Sequence, residues 1–126
     1  MKYLGIDYGT KRVGVAISDD AGEFAFPKAI LPIESALTEI AAICEDEGIE
    51  AIVIGEPRAS NGELTDTALH AATFKDKIAE ITELPVVAER EDFSSVEAHR
   101  YQTAAGSRDD SAAAIILQRF LDKKKK

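Results

Sequence analysis

Apolar and polar positions along the chain follow first the period of strands and then, in alternation, the period of helices. Residues 2–8 and 12–18 are apolar on both sides of a short polar turn, Gly9-Thr10-Lys11, and predict a hairpin of two buried strands. A third apolar stretch near 24–33 is interrupted by Pro27 and ends near Pro32. Three adjacent strands joined by such short turns are antiparallel. Leu37, Ile40, Ala41 and Cys44 then share one helical face that stops at Gly48. The run Ile49 to Gly55 is short, β-branched and continuous enough for a central strand. A loop containing Pro57, Asn61 and Gly62 leads into a long helix from about Leu64 to Ile81. Pro85 to Ala88 reads as another short strand, and helices near 95–104 and 109–122 follow it.

A hairpin sheet followed by strands alternating with helices predicts an α/β fold, a mixed sheet of antiparallel and parallel strands covered by helices. Ligands of such sheets gather where the carboxyl ends of strands open a crevice. Asp7, Gly55, Pro57 and the residues after Ala88 all stand at such ends.

Composition narrows the picture without changing it. With 126 residues, 45% of them hydrophobic, the chain suits one domain with a real core, expected over residues 1–122, followed by a solvated basic tail, Lys123 to Lys126. There is no long apolar run and no basic-then-apolar start, so neither a membrane span nor a secretory signal is expected, and the cytoplasm is the expected compartment. The single cysteine, Cys44, points toward the core on its helix and reads as a buried structural thiol. The formal net charge is −8, and without the terminal lysines 11 basic residues face 23 acidic ones. Such a body repels phosphates on average, so a nucleic-acid ligand requires local positive charge. Lys11, Arg12, Arg58, Arg90, Arg100 and Arg108 are the candidates to supply it.

Candidate chemistry starts at Asp7. A carboxylate at the mouth of a strand, turn, strand unit must be paired, hydrogen-bonded or engaged with a metal, because a buried unpaired charge is costly. Capping of the turn through the backbone is the alternative, and this segment alone leaves both readings open. Two further acidic groups stand at comparable positions, Glu89-Arg90-Glu91-Asp92 after the last strand and Asp109-Asp110 at the start of the final helix. Asp109 fits a helix cap, Asp110 fits either role, and the 89–92 run also fits a solvated loop. Taken together, three carboxylates form an oxygen-only ligand set, which suits magnesium or manganese rather than zinc. Two such ions about 3.5–4 Å apart can activate a water and stabilise the leaving oxygen of a phosphodiester.

These residues resemble the YqgF/RuvX family, Holliday junction resolvase-like or pre-16S ribosomal RNA processing nucleases with a ribonuclease H-like fold. The resemblance covers nearly the whole chain. It rests on Leu4-Gly5-Ile6-Asp7-Tyr8-Gly9 with Gly14-Val15-Ala16, on Val53-Ile54-Gly55-Glu56-Pro57 with Asn61-Gly62, on Phe93 to Ala98, and on Asp110 to Gln118. It implies a five-stranded ribonuclease H-like sheet and a metal-dependent endonuclease using Mg2+ or Mn2+. Asp7 matches the family's acidic residue of the first strand and Asp110 the acidic residue opening the last helix. The middle carboxylate departs from the family's usual Asp-Glu-Arg, since this chain has Arg90-Glu91-Asp92. An ungapped match makes Glu91 the third ligand and is preferred, whereas a two-residue shift would pick Glu89 at the cost of an insertion. Lys11 or Arg12 are candidates to contact a phosphate, and Gly55 to allow close approach of substrate backbone. Glu97 reads as an ordinary helix residue, and His70 and His99, without paired ligand spacing, as surface residues.

The implied partner is nucleic acid, either a ribosomal RNA precursor or branched DNA, with RNA processing favoured. Two other classes stand beside this reading. A non-catalytic binding module that keeps the fold would account for the altered Arg90-Glu91-Asp92 and the net acidity. Gly5-Ile6-Asp7-Tyr8-Gly9-Thr10 also looks like the phosphate loop of the sugar kinase, actin and heat-shock ATPase fold, but those proteins close two such domains around a nucleotide and this chain has length for one.

Overall fold

The computed structural model describes residues 1–56, 66–90 and 108–124. Its elements are β1 (Tyr3–Asp7), β2 (Arg12–Ser18), β3 (Ala25–Pro32), α1 (Ala36–Glu47), β4 (Ala51–Glu56), α2 (Asp66–Thr82), β5 (Val86–Arg90) and α3 (Arg108–Lys124). The expected loop with Pro57, Asn61 and Gly62 and the expected helix near 95–104 lie outside the described residues. The five strands form one sheet in the order β3-β2-β1-β4-β5. β2 pairs antiparallel with both β1 and β3, while β4 pairs parallel with β1 and with β5. The mixed sheet predicted from the sequence is therefore present.

Strand alternation divides the core into two halves. Leu4 and Ile6, Val13 and Val15, and Ile52 and Ile54 face one side, where they pack with Ala36, Ile40 and Cys44 of α1 and Phe74 and Ile78 of α2. Tyr3, Ala16, Ala51 and Val53 face the other side and pack with Ala113, Ile116, Leu117 and Leu121 of α3. The sheet is thus buried on both faces, as its apolar central strands require. β3 continues through Pro27 rather than breaking there, because an edge strand is paired on one side only and tolerates a residue without an N–H; the register also shifts next to this point, between Val15 and Ala16 of β2.

Cys44 is buried, and burial pushes its thiol up to about 11. Alkylation by iodoacetamide at neutral pH is expected to be slow in the native protein and fast in denaturant. Fast native labelling, followed by mass spectrometry, would contradict the packing of α1.

The position of α3 matters most for the site. Its carboxyl-terminal part lies over the start of β1, where the Phe120 and Tyr3 rings meet edge to face at 5.5 Å and Lys124 bonds the Tyr3 hydroxyl. Nearer its start, Ala113 and Leu117 lie against Gly5; a Cβ on Gly5 would stand 2.8 Å from Leu117 Cβ and 3.2 Å from the Ala113 carbonyl oxygen. The helix therefore runs antiparallel to β1, and its amino-terminal turn reaches the strand's carboxyl end. Gly5 sets how closely helix and sheet approach. Gly5→Val is expected to destabilise the protein by about 3 kcal/mol in urea unfolding, since overpacking of this kind must displace backbone as well as side chain. An unchanged midpoint would show that α3 does not sit on β1 as described.

Candidate active site

Asp7 ends β1, half-buried, and shares the strand parity of Tyr3 and Gly5, so it belongs to the α3 face of the sheet. Its cross-strand partner in β2 is Gly14, which has no side chain to fill the space opposite. The turn that follows is tight; a Cβ on Gly9 would lie 2.4 Å from the Arg12 carbonyl oxygen, so no other residue fits the same backbone there. The outcome is an open cleft of about 220 Å³ lined by Asp7, Gly9, Thr10, Lys11, Arg12 and Gly14. Asp7 is the one carboxylate in that lining among the described residues, and two exposed cations stand beside it.

The neighbouring strands bring further candidates to the same edge. Ile6 pairs with Ile54, so Gly55 follows at the level of Asp7, and Gly55 pairs in turn with Glu89 of β5. Asp110 lies in the first turn of α3, at the end of the helix directed toward the carboxyl end of β1. Asp7, Lys11, Arg12, Gly55 and the backbone of Asp110 therefore share one edge of the sheet. Glu91 follows β5 directly and lies outside the described residues. Among the described residues, no three His, Cys, Asp or Glu side chains gather as a metal site.

Glu89, the alternative to Glu91, is only 4% exposed and already has a partner. Its Oε2 accepts a hydrogen bond from Lys123 Nζ at 2.7 Å, and Arg119 Nε stands 4.0 Å away. This pair also changes the picture of the carboxyl-terminal lysines. The final helix runs two residues past the expected boundary at 122; Lys123 is tied to β5, and Lys124 lies over the Tyr3 ring at 4.5 Å from its centre. Composition alone reads four consecutive lysines as solvated, since the acceptor, Glu89, is 34 residues away in sequence.

An α/β/α sandwich on this strand order, with Asp7 at the carboxyl end of its central strand, defines the ribonuclease H-like fold class. RuvC of Thermus thermophilus, solved in complex with a Holliday junction substrate, superposes with a TM-score of 0.66 at 14% identity, covering 99% of this chain and 96% of that one. The chain belongs to the RuvX family, described as Holliday junction resolvase, whose profile matches residues 1–123. A relative from Nitratidesulfovibrio vulgaris (strain Miyazaki F), named "Putative pre-16S rRNA nuclease", is 40% identical, with 97% of this chain and 94% of the relative covered. A ROK hexokinase from Thermus thermophilus shares the fold at a TM-score of 0.52 and 22% identity, yet 83% of this chain accounts for only 40% of the hexokinase. That likeness is one of fold alone, and it spans less than half of the hexokinase.

Proposed function

We propose that the protein is a metal-dependent endonuclease that hydrolyses phosphodiester bonds in a ribosomal RNA precursor, acting in the cytoplasm on the 5′ end of 16S RNA. The observation that carries this reading is Asp7, held half-buried at the carboxyl end of the central strand in a cleft that opens toward Lys11 and Arg12, with the first turn of α3 directed to the same edge. Kinship with proteins bearing nuclease names makes hydrolysis the reaction to expect of such a site.

Asp7, Glu91 and Asp110 are the residues assigned to hold Mg2+ or Mn2+, and their oxygen-only chemistry fits a hard cation. When bound, the cation supplies activation of the attacking water and stabilisation of the charge developing in phosphodiester hydrolysis. Lys11 and Arg12 neutralise the scissile strand's phosphates at the cleft, and Gly55 leaves room for backbone. Local charge of this kind is what lets a chain of net charge −8 take a polyanion.

The test is cleavage and equilibrium binding of a precursor RNA carrying the immature 16S end, beside a four-way DNA junction, with and without Mg2+ or Mn2+. Metal-dependent cutting of the RNA is expected. Cutting of the junction alone would move the substrate to branched DNA. Binding of either one without cleavage would make the chain a binding module that keeps the fold.

A further inference from the structure

A second concavity adjoins the Asp7 edge, on the opposite face of the sheet. It holds about 300 Å³, within the range of small-ligand pockets, and lies between the residue after Asp7 and helix α2. Tyr8 forms one wall, half-buried, its ring braced on Phe74 with centroids 5.1 Å apart at 54°. Ile33 and Leu37 provide the apolar floor, and His70 and Lys77 stand exposed on the α2 rim. Positions 70, 74 and 77 recur at helical spacing, so one face of α2 presents all three. The backbone joins this groove to the Asp7 cleft, since the Ile33 N–H bonds the Lys11 carbonyl at 3.0 Å.

Charge separates this groove from other surface hollows. In a chain with 23 acidic residues, its lining includes no carboxylate among the described residues. A comparable hollow at the far ends of α1 and α2, beside Cys44 and Leu84, includes Glu45 and, among the described residues, no cation. An aromatic wall, an apolar floor and a cationic rim match the three parts of a nucleotide, a base that stacks, a sugar and a phosphate. Duplex bases cannot reach such a groove, because their faces are already stacked.

We infer that the groove between Tyr8 and α2 holds one unpaired nucleotide of the RNA strand, its base on the Tyr8 ring and its phosphate at Lys77, next to the bond cut at Asp7. This assignment rests on the nuclease reading for its substrate, and it adds a requirement for unpaired RNA beside the cleavage position.

The experiment measures binding of a short unpaired RNA, without metal, to the full-length Asp7→Asn protein, so that the result does not depend on cleavage. In that background Tyr8→Ala is expected to weaken binding about tenfold, the usual loss of one stacked base. Lys77→Ala should weaken it and lower the logarithmic salt slope by about 0.7, the contribution of one single-strand phosphate. Lys28→Ala, which makes the same change of net charge on the outer strand beside Glu47, should leave both unchanged. Ultraviolet cross-linking of the same RNA carrying 5-bromouridine should label the peptides of Tyr8 or Phe74. Unchanged affinity in the Lys77 variant together with cross-links elsewhere overturns the assignment, even if Tyr8→Ala fails to fold. An equal loss with fully paired RNA overturns the unpaired nucleotide.

Discussion

Asp7→Asn is expected to abolish metal-dependent cleavage while leaving the fold intact. The amide keeps the size of the carboxylate and the strand pairing with Gly14, which is a backbone pairing, so β1 and β2 have no reason to separate. What is lost is the negative charge that a divalent cation requires, and with it both activation of water and stabilisation of the leaving oxygen; a drop of several orders of magnitude follows. Stability moves in the opposite sense. Removing one carboxylate from a site meant to gather several relieves repulsion, so the metal-free melting temperature should equal or exceed that of the parent. Retained cleavage would end the metal assignment. A large loss of metal-free stability would instead assign Asp7 to capping of the Gly9 turn.

The central sheet could be read from the chain because its signals are local. Nearly continuous apolar runs in residues 3–6 and 13–17 mark two buried strands, and the structure sends Leu4, Ile6, Val13 and Val15 to one face of the sheet and Tyr3 and Ala16 to the other. α1 was equally visible, since Ile40 and Cys44 fall one turn apart and Gly48 stops the helix. What local pattern missed depends on partners distant in sequence. Pro27 looks like a strand breaker until β3 is known to be an edge strand, and Lys123 looks like a free tail until β5 brings Glu89 beneath it. The groove at Tyr8 is hidden for the same reason, because its two walls come from the residue after β1 and from α2, and no motif joins them. Of the site itself, Asp7 with Lys11 and Arg12 is visible as a strand, turn, strand unit, whereas the meeting of β1 with the first turn of α3 depends on Gly5 admitting the helix.

Glu91→Gln is expected to lower cleavage by orders of magnitude and to weaken metal affinity with little change in stability, whereas Glu89→Gln should do the reverse. Glu91 is the residue after β5 in the chain and is proposed to face the cation, so neutralising it removes a ligand. Glu89 is paired with Lys123 and flanked by Arg119, so neutralising it loosens the hold of α3 on β5 instead. The two halves of that pair are unequal, and this gives the test its resolving power. The Lys123 side chain is 63% exposed and recovers solvation when Glu89 is neutralised, while the Glu89 side chain is 5% exposed and cannot recover it when Lys123 is removed. Glu89→Gln should therefore cost about 1 kcal/mol and Lys123→Met about 2 kcal/mol, below the full cost of breaking a buried pair because one partner reaches water. Deleting residues 123–126 should match Lys123→Met in urea unfolding rather than act as the loss of a solvated tail. A metal titration that loses affinity in Glu89→Gln and keeps it in Glu91→Gln would transfer the third ligand to Glu89. If both variants cleave like the parent while Asp7→Asn does not, the ligand lies at Asp92 or Asp109.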